Sequence, residues 1–186
     1  MMNAHVCPWW LGGLIASPVR KLWQDPARIL APHVREGMTV LEPGPGIGFF
    51  TLELARRVGP TGRVVAVDLQ PRMLAGLRRR AERAGLGARI EARLSAEDSL
   101  GVEDLAGAVD FVLAFAVVHE LPDPARFFAE LRATLAPGGK VLVAEPSGHV
   151  KARDLEAQLA AAARSGLRGG PGPAITWSRT ALLAAA

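Results

Sequence analysis

Tyrosine is absent from this chain of 186 residues, and cysteine occurs once, as Cys7. A single cysteine excludes an internal disulfide framework and any multi-cysteine zinc site. The lone thiol reads as a small buried hydrophobe rather than a reactive group, and no metal site is expected. Without tyrosine, no Tyr–Lys pair for hydride chemistry can be assembled. No apolar run reaches the ~18 residues of a membrane-spanning helix. Val6 to Ala16 is apolar, but no Lys or Arg precedes it, so it lacks the positive start of a secretion signal. The expectation is a cytoplasmic protein with no membrane span. Charge of one sign is also scarce: the net charge of +4 comes from 22 basic and 18 acidic residues. Arg78-Arg79-Arg80 is the one basic run and reads as the solvated face of a helix. Basic and aromatic residues do not interleave, which disfavours nucleic acid as a partner.

What the chain does have is apolar residue. A hydrophobic share of 49% argues against disorder, and the length suits one domain with a single substantial core. The organising stretch is Val40 to Phe50, V-L-E-P-G-P-G-I-G-F-F. A buried strand over 38–42 ends in Glu42, Gly44, Gly46 and Gly48 follow at alternate positions, and a largely apolar helix is expected over 48–58. Strand, glycine turn and helix in that order make the nucleotide-binding corner of an open α/β sheet. The glycines let the chain turn sharply and a ligand approach bare backbone. The first helix amides then point at that ligand. A second buried strand, 63–68, ends in Asp68, twenty residues beyond Gly48. That is close to the ~20-residue spacing at which an acid takes a ribose hydroxyl pair.

The remaining elements follow from pattern and punctuation. Residues 1–33 form a leader with Trp9, Trp10, Leu11, Leu14 and Ile15, then Val19, Leu22 and Trp23, spaced like two short helices broken at Pro18. It reads either as a lid with apolar walls or as a segment packed over a sheet edge. Pro71 opens a helix at a favoured first-turn position, and a third strand is expected near Arg89 to Leu94. A fourth runs from Asp110 to Phe115, and a helix from Pro124 to Leu135 carries Phe127, Phe128, Leu131 and Leu135 at spacings of three and four. Pro137-Gly138-Gly139 is expected to turn the chain into strand five, Lys140 to Glu145. A further helix is expected over 153–165, then a Gly/Pro tract from Gly166 to Pro173. Ala174 to Trp177 and Thr180 to Leu183 are expected to supply the last strands.

The runs E-P-G-P-G-I-G and V-V-A-V-D resemble the first two motifs of the class I S-adenosylmethionine-dependent methyltransferases. V-D-F-V-L-A-F and L-A-P-G-G-K-V-L-V-A-E-P continue the likeness, which covers roughly Val34 to Pro146. S-R-T-A-L-L also resembles the last strand of small bacterial members. The resemblance implies a doubly wound, seven-stranded, mostly parallel α/β sheet of the Rossmann-like methyltransferase kind. A helical leader (1–33) would serve as lid to a methyltransferase domain (34–186). It implies S-adenosylmethionine as cofactor, with Glu42 near the methionine amino group and Asp68 on the ribose. Gly44, Gly46, Gly48, Leu69, Met73, Ala96, Glu97 and Phe115 would complete the cofactor's surroundings. An acid directly after strand three, which relatives aim at adenine, is missing; Ser95 or Ala96 stands there, and Glu97 or Asp98 could replace it by a shift of the loop.

In that strand order the segment after strand four faces the reacting methyl group. His119 and Glu120 are therefore the catalytic candidates, with histidine the commonest proton-transfer side chain at neutral pH. His119, Trp9 and Trp10 are the candidates for touching the acceptor. No Asn-Pro-Pro motif follows strand four, so an amino group of DNA or protein is a less favoured acceptor. A-V-V-H-E-L and L-A-P-G-G-K look closest to the quinone-biosynthesis-like and general small-molecule group. The expected function is in-line methyl transfer to a small, apolar or aromatic acceptor. Two alternatives keep the same corner: a nicotinamide-dependent oxidoreductase, and a binding module that holds the cofactor without transfer. Glycine spacing and Glu42 count against the first, and the intact cofactor motifs against the second.

Overall fold

A computed structural model of the chain describes residues 18–186. Cys7, Trp9 and Trp10 lie outside these residues. A single 3-10 turn, Pro18–Leu22, and the short helix α1 (Pro26–Leu30) lead into the sheet. Then come β1 (Thr39–Pro43), α2 (Thr51–Arg57), β2 (Arg63–Asp68), α3 (Pro71–Arg83) and β3 (Ile90–Leu94). The second half supplies β4 (Val109–Phe115), α4 (Pro124–Thr134), β5 (Leu135–Pro146), α5 (Ala152–Arg164), β6 (Leu167–Pro171) and β7 (Ser178–Ala185).

The strands form one seven-stranded sheet in the order β3-β2-β1-β4-β5-β7-β6. β1 pairs in parallel with β2 and β4, β2 with β3, and β4 with β5. β7 alone runs the other way, antiparallel to β5 and β6. The central strands read as continuous apolar runs because helices cover both of their faces: Val64 to Val67 are at most 1% exposed. Phe127, Phe128 and Leu131 of α4, with Ala161 and Ala162 of α5, bury one face. Leu30, Val34, Leu54, Ala55 and Val58 cover the other, against Val40, Phe111 and Leu113. Asp123 caps α4 by accepting from the amides of Ala125 (3.0 Å) and Arg126 (3.1 Å), with Pro124 at the first helical position. The chain crosses from edge strand β3 to β4 beside β1, so the strand order reverses between β1 and β4. In open α/β sheets ligands bind outside the carboxyl ends of the strands at that point.

The structure moves three boundaries. α2 begins at Thr51 rather than 48, because Gly44, Gly46 and Gly48 hold φ of +67°, +55° and +87°. Those left-handed values belong to the turn and cannot start a helix. Pro137-Gly138-Gly139 does not precede β5 but lies within it. Pairing jumps from Val109↔Leu135 to Phe111↔Lys140, and Gly138 at φ +80° absorbs the irregularity. Ala174 to Trp177 is not a strand, and the preceding glycine tract is. The backbone of Gly169 approaches Leu182 so closely that a Cβ there would overlap its carbonyl oxygen. Pro171 is tolerated because β6 is an edge strand.

The described half of the leader is built into the body. Leu30 is fully buried, and Gln24 Nε2 donates to the Thr176 carbonyl (2.9 Å) and to Ser178 Oγ (3.3 Å). Trp23 lies 5.5 Å from Trp177, ring centre to ring centre. No helix among the described residues is long and apolar enough to cross a membrane.

Candidate active site

The glycine turn between β1 and α2 is clamped by α3. Gly76 leaves room for Ile47, whose Cγ2 would lie 2.8 Å from an added Cβ, and Leu77 occupies the space a Gly48 side chain would need. Arg80 Nη1 donates to the Ile47 carbonyl at 2.7 Å. The basic run is therefore only partly a solvated face: Arg78 and Arg79 are exposed, whereas Arg80 is half-buried and pins the turn. From the opposite side, Val117 packs on Gly44, where an added Cβ would be 3.1 Å from its Cγ2.

Two acids close the strands beneath this turn. Glu42 is 3% exposed, and its Oε2 has no hydrogen-bond partner. Burial pushes its carboxyl up to about 8; the Asp68 charge adds to this and the Thr51 hydroxyl offsets part of it. Asp68 is 8% exposed, and burial raises it to about 6 against the pull of two backbone amides. Its Oδ2 accepts from Gly46 N (3.2 Å) and its Oδ1 from Gln70 N (2.8 Å). A buried carboxylate oxygen without a partner is costly unless a ligand supplies a cation or donor. This one lies two residues before Gly44, where the glycine turn begins. The residues present thus fit S-adenosylmethionine: Glu42 for its ammonium, Asp68 for its ribose hydroxyls, bare glycine backbone between them.

The other expected cofactor neighbours are spread around the same edge. Leu69 is 36% exposed. Met73 is buried in the packing of α3 and offers no open surface. Ala96 and Glu97 are exposed in a tight loop beside Asp68: Ser95 N donates to the Asp68 carbonyl and Ala96 N to that of Ser99, both at 3.1 Å. Asp98 accepts from Arg126 (3.3 Å), which leaves Glu97 as the loop's available acid. Phe115 is half-buried at the end of β4, 4.4 Å from the Phe50 ring. The Arg20 guanidinium sits 4.4 Å over Phe49 and 5.4 Å over Phe115.

The segment after β4 is strained and tightly held. Ala116 has φ +55°, a conformation that costs a non-glycine residue roughly 1–2 kcal/mol. Its amide donates to the Ala144 carbonyl at 2.7 Å. Glu145, fully buried near the end of β5, gathers the following amides. Its Oε1 accepts from Val117 N (3.2 Å) and Val118 N (3.0 Å), and its Oε2 from His119 N (3.2 Å). The same Oε2 lies 2.5 Å from His119 Nδ1. That hydrogen bond pushes the imidazole up from its ordinary value, with burial opposing. His119 keeps 22% of its side chain exposed, and the His149 ring stands 6.1 Å away, edge to face. Glu120 shares the 3-10 turn Val118–Glu120, but the acid that meets the imidazole is Glu145, which is not among the residues expected from sequence. Its signal was available: Glu42, Asp68 and Glu145 each stand at the carboxyl end of a buried strand. Among the described residues no cluster of His, Cys, Asp and Glu is arranged to hold a metal.

The model of a methyltransferase domain family matches residues 34–178. The arsenite methyltransferase of Halobacterium salinarum is 34% identical over 109 residues, 59% of this chain and 27% of its own. The ubiquinone biosynthesis O-methyltransferase of Methylocella silvestris is 37% identical over 114 residues, 61% of this chain and 42% of its own. The chain spans roughly a quarter to a half of the length of the curated relatives first matched. A crystal structure of a SAM-dependent methyltransferase from Aquifex aeolicus superposes with a TM-score of 0.82 at 25% identity, covering 96% of this chain and 100% of that one. The antiparallel β7 also separates this sheet from the 3-2-1-4-5-6 order of dinucleotide-binding oxidoreductases. Glycine turn, paired strand-end acids and sheet order agree with these likenesses: the chain belongs to the class I methyltransferase-domain family, whose cofactor is S-adenosylmethionine.

Proposed function

We propose that this domain methylates a small, apolar or aromatic molecule by in-line transfer. When bound, S-adenosylmethionine supplies the activated methyl group; the protein's part is to hold, align and exclude water. Glu42 takes the ammonium, Asp68 the ribose hydroxyls, and the Gly44–Gly48 turn lets the ligand lie against backbone. Glu97 and the backbone of residues 95–97 serve the adenine end.

The observation that carries the acceptor class is Phe115. It stands half-buried at the end of β4, where the strand order reverses, with Phe50 beside it. Neither that apolar ring nor Ala116 and Val117 after it carries a side-chain hydrogen-bonding group for an amino acceptor. It suits an apolar or aromatic face. The leader, whose Arg20 lies over Phe49 and Phe115, is read as the lid, with Trp9 and Trp10 as acceptor walls. Named relatives acting in ubiquinone biosynthesis are in keeping with such an acceptor.

The test is transfer of labelled methyl from S-adenosylmethionine to a panel of phenols, hydroxyquinones, thiols, arsenite, peptides and transfer RNA. Label on small apolar acceptors is the expected result. Label confined to peptide or RNA would overturn the acceptor class. Asp68→Ala is expected to weaken cofactor binding more than tenfold, the loss of a charge-assisted hydrogen bond of about 1.5–3 kcal/mol. Calorimetric titration checks this, and wild-type affinity in the variant would remove Asp68 from the ribose.

A further inference from the structure

We propose that Glu145 and His119 form a proton-accepting pair and that the acceptor atom is the oxygen of a hydroxyl group. The inference rests on the methyl-transfer reading above and specifies its chemistry. Glu145 is a fully buried carboxylate whose Oε2 is shared between the His119 amide and Nδ1. An acceptor-only group at that place fixes the tautomer: Nδ1 carries the proton and donates, which leaves the lone pair on Nε2. The His119 side chain keeps 22% of its surface open. Three backbone amides fix the carboxylate, which in turn fixes the ring. The pair stands on the loop whose Val117 packs against Gly44, so it belongs to the same edge as the cofactor turn.

A base is needed only by some acceptors. A thiolate or an arsenite lone pair attacks without one, and an amine can lose its proton after attack. A hydroxyl, with a phenolic pKa near 10, must shed its proton as its oxygen is alkylated. The step balances. The O–CH3 bond forms as the S–CH3 bond breaks, and that bond's electron pair stays on sulfur as a neutral thioether. The hydroxyl proton moves to His119 Nε2, and Glu145 stabilises the imidazolium. Glu145 is thus a positioning residue and His119 the catalytic one. Other ionisable groups near the ring are Glu120 on its own turn and His149 on the loop after β5. Arg179 of β7, paired in register with Glu145, directs its side chain to the Val150 carbonyl.

The test compares wild type with Glu145→Gln, which keeps an oxygen for the Val117 and Val118 amides, and with His119→Gln. Nitrogen-edited NMR of the imidazoles, without substrate, should show His119 as the Nδ1–H tautomer with a raised pKa in wild type. In Glu145→Gln the pKa should fall and the Nδ1 proton should exchange faster. With a phenolic acceptor, kcat should drop about 10–100-fold in Glu145→Gln and about 10²–10³-fold in His119→Gln. Cofactor affinity should hold in both, and the acidic limb of the wild-type pH profile should move with the NMR pKa. An unchanged His119 titration in Glu145→Gln, or equal turnover and pH profiles in all three proteins, would overturn the pair. Methylated sulfur, arsenic or ring carbon as the sole product would overturn the hydroxyl assignment and leave methyl transfer standing. Absence of all transfer by wild type with cofactor bound would instead count against the reading it rests on.

Discussion

Glu42→Gln is expected to weaken S-adenosylmethionine binding by a hundredfold or more while making the ligand-free protein more stable. The two effects have one cause. The Glu42 carboxyl is buried with one oxygen unpartnered, and its folded value is about 8 against 4.5 for the free group. An acid whose folded pKa is raised binds more protons in the folded than in the unfolded state between those two values. Its contribution to stability therefore falls as pH rises from about 4.5 through about 8. The full cost above that window is on the order of 5 kcal/mol. Glutamine keeps the shape and removes the ionisation, so the melting temperature of the variant should exceed wild type most clearly at pH 8–9. Cofactor binding reverses the balance, because an ammonium beside Glu42 favours the charged form. With the folded value pushed up to about 8, Glu42 is expected to give up a proton when an ammonium binds beside it at pH 7. Wild-type affinity should rise, approaching tenfold per pH unit, up to about pH 8 and then level off. Asp68, raised to about 6, steepens the rise only at the acidic end. In Glu42→Gln the slope above pH 6 should vanish, and removal of one partner from a buried ion pair typically costs about 3–5 kcal/mol. Calorimetry in buffers of different ionisation heat, paired with thermal melts across pH 5–9, reads all of this. Unchanged affinity with reduced stability at pH 8 would show that Glu42 is a structural acid rather than a ligand for a cation.

Features legible in the sequence share a physical property: each is decided by neighbours along the chain. Val64 to Val67 announces a strand buried on both faces by composition alone, and Asp68 marks its end. Gly44, Gly46 and Gly48 announce a turn because only glycine takes their conformation cheaply, and Phe127, Phe128 and Leu131 announce α4 by period. What escaped reading depends on partners distant in sequence. Arg80 looked solvated within its own run, and only the fold brings it to the Ile47 carbonyl. Glu145 lies twenty-six residues from His119, and the parallel pairing of β4 with β5 places the two together. Glu120, adjacent in sequence, is the acid that the local pattern offers as a catalytic candidate. β6 carries a single buried residue, Leu167, so no periodic pattern exists to reveal it. Its strand character comes from pairing with β7, and the short apolar stretch from Ala174 to Trp177 drew the assignment away.

Within β6, neighbouring glycines differ sharply in what surrounds them. Gly169→Ala is expected to destabilise the protein by about 2–3 kcal/mol, the upper part of the range for overpacking. Gly170→Ala is expected to be neutral or to stabilise by about 0.4–1 kcal/mol through the unfolded chain. A Cβ on Gly169 would overlap the Leu182 carbonyl, which belongs to backbone and cannot rotate away, whereas one on Gly170 meets nothing within 4 Å. Neither glycine has the positive φ that would strain an alanine, so the difference isolates contact from conformation. The consequence reaches the site through the 172–177 loop between β6 and β7. That loop holds Gln24 through the Thr176 carbonyl and Trp23 through Trp177, and so anchors the segment that carries Arg20 over Phe49 and Phe115. In Gly169→Ala, turnover of acceptor should fall more than affinity for cofactor, because Glu42, Asp68 and the glycine turn lie on the other half of the sheet. Denaturant midpoints for both variants, with KM for acceptor and Kd for cofactor, decide the matter. Equal stability of the two alanine variants would mean that the β6–β7 pairing is looser than described and that the tract is a loop after all.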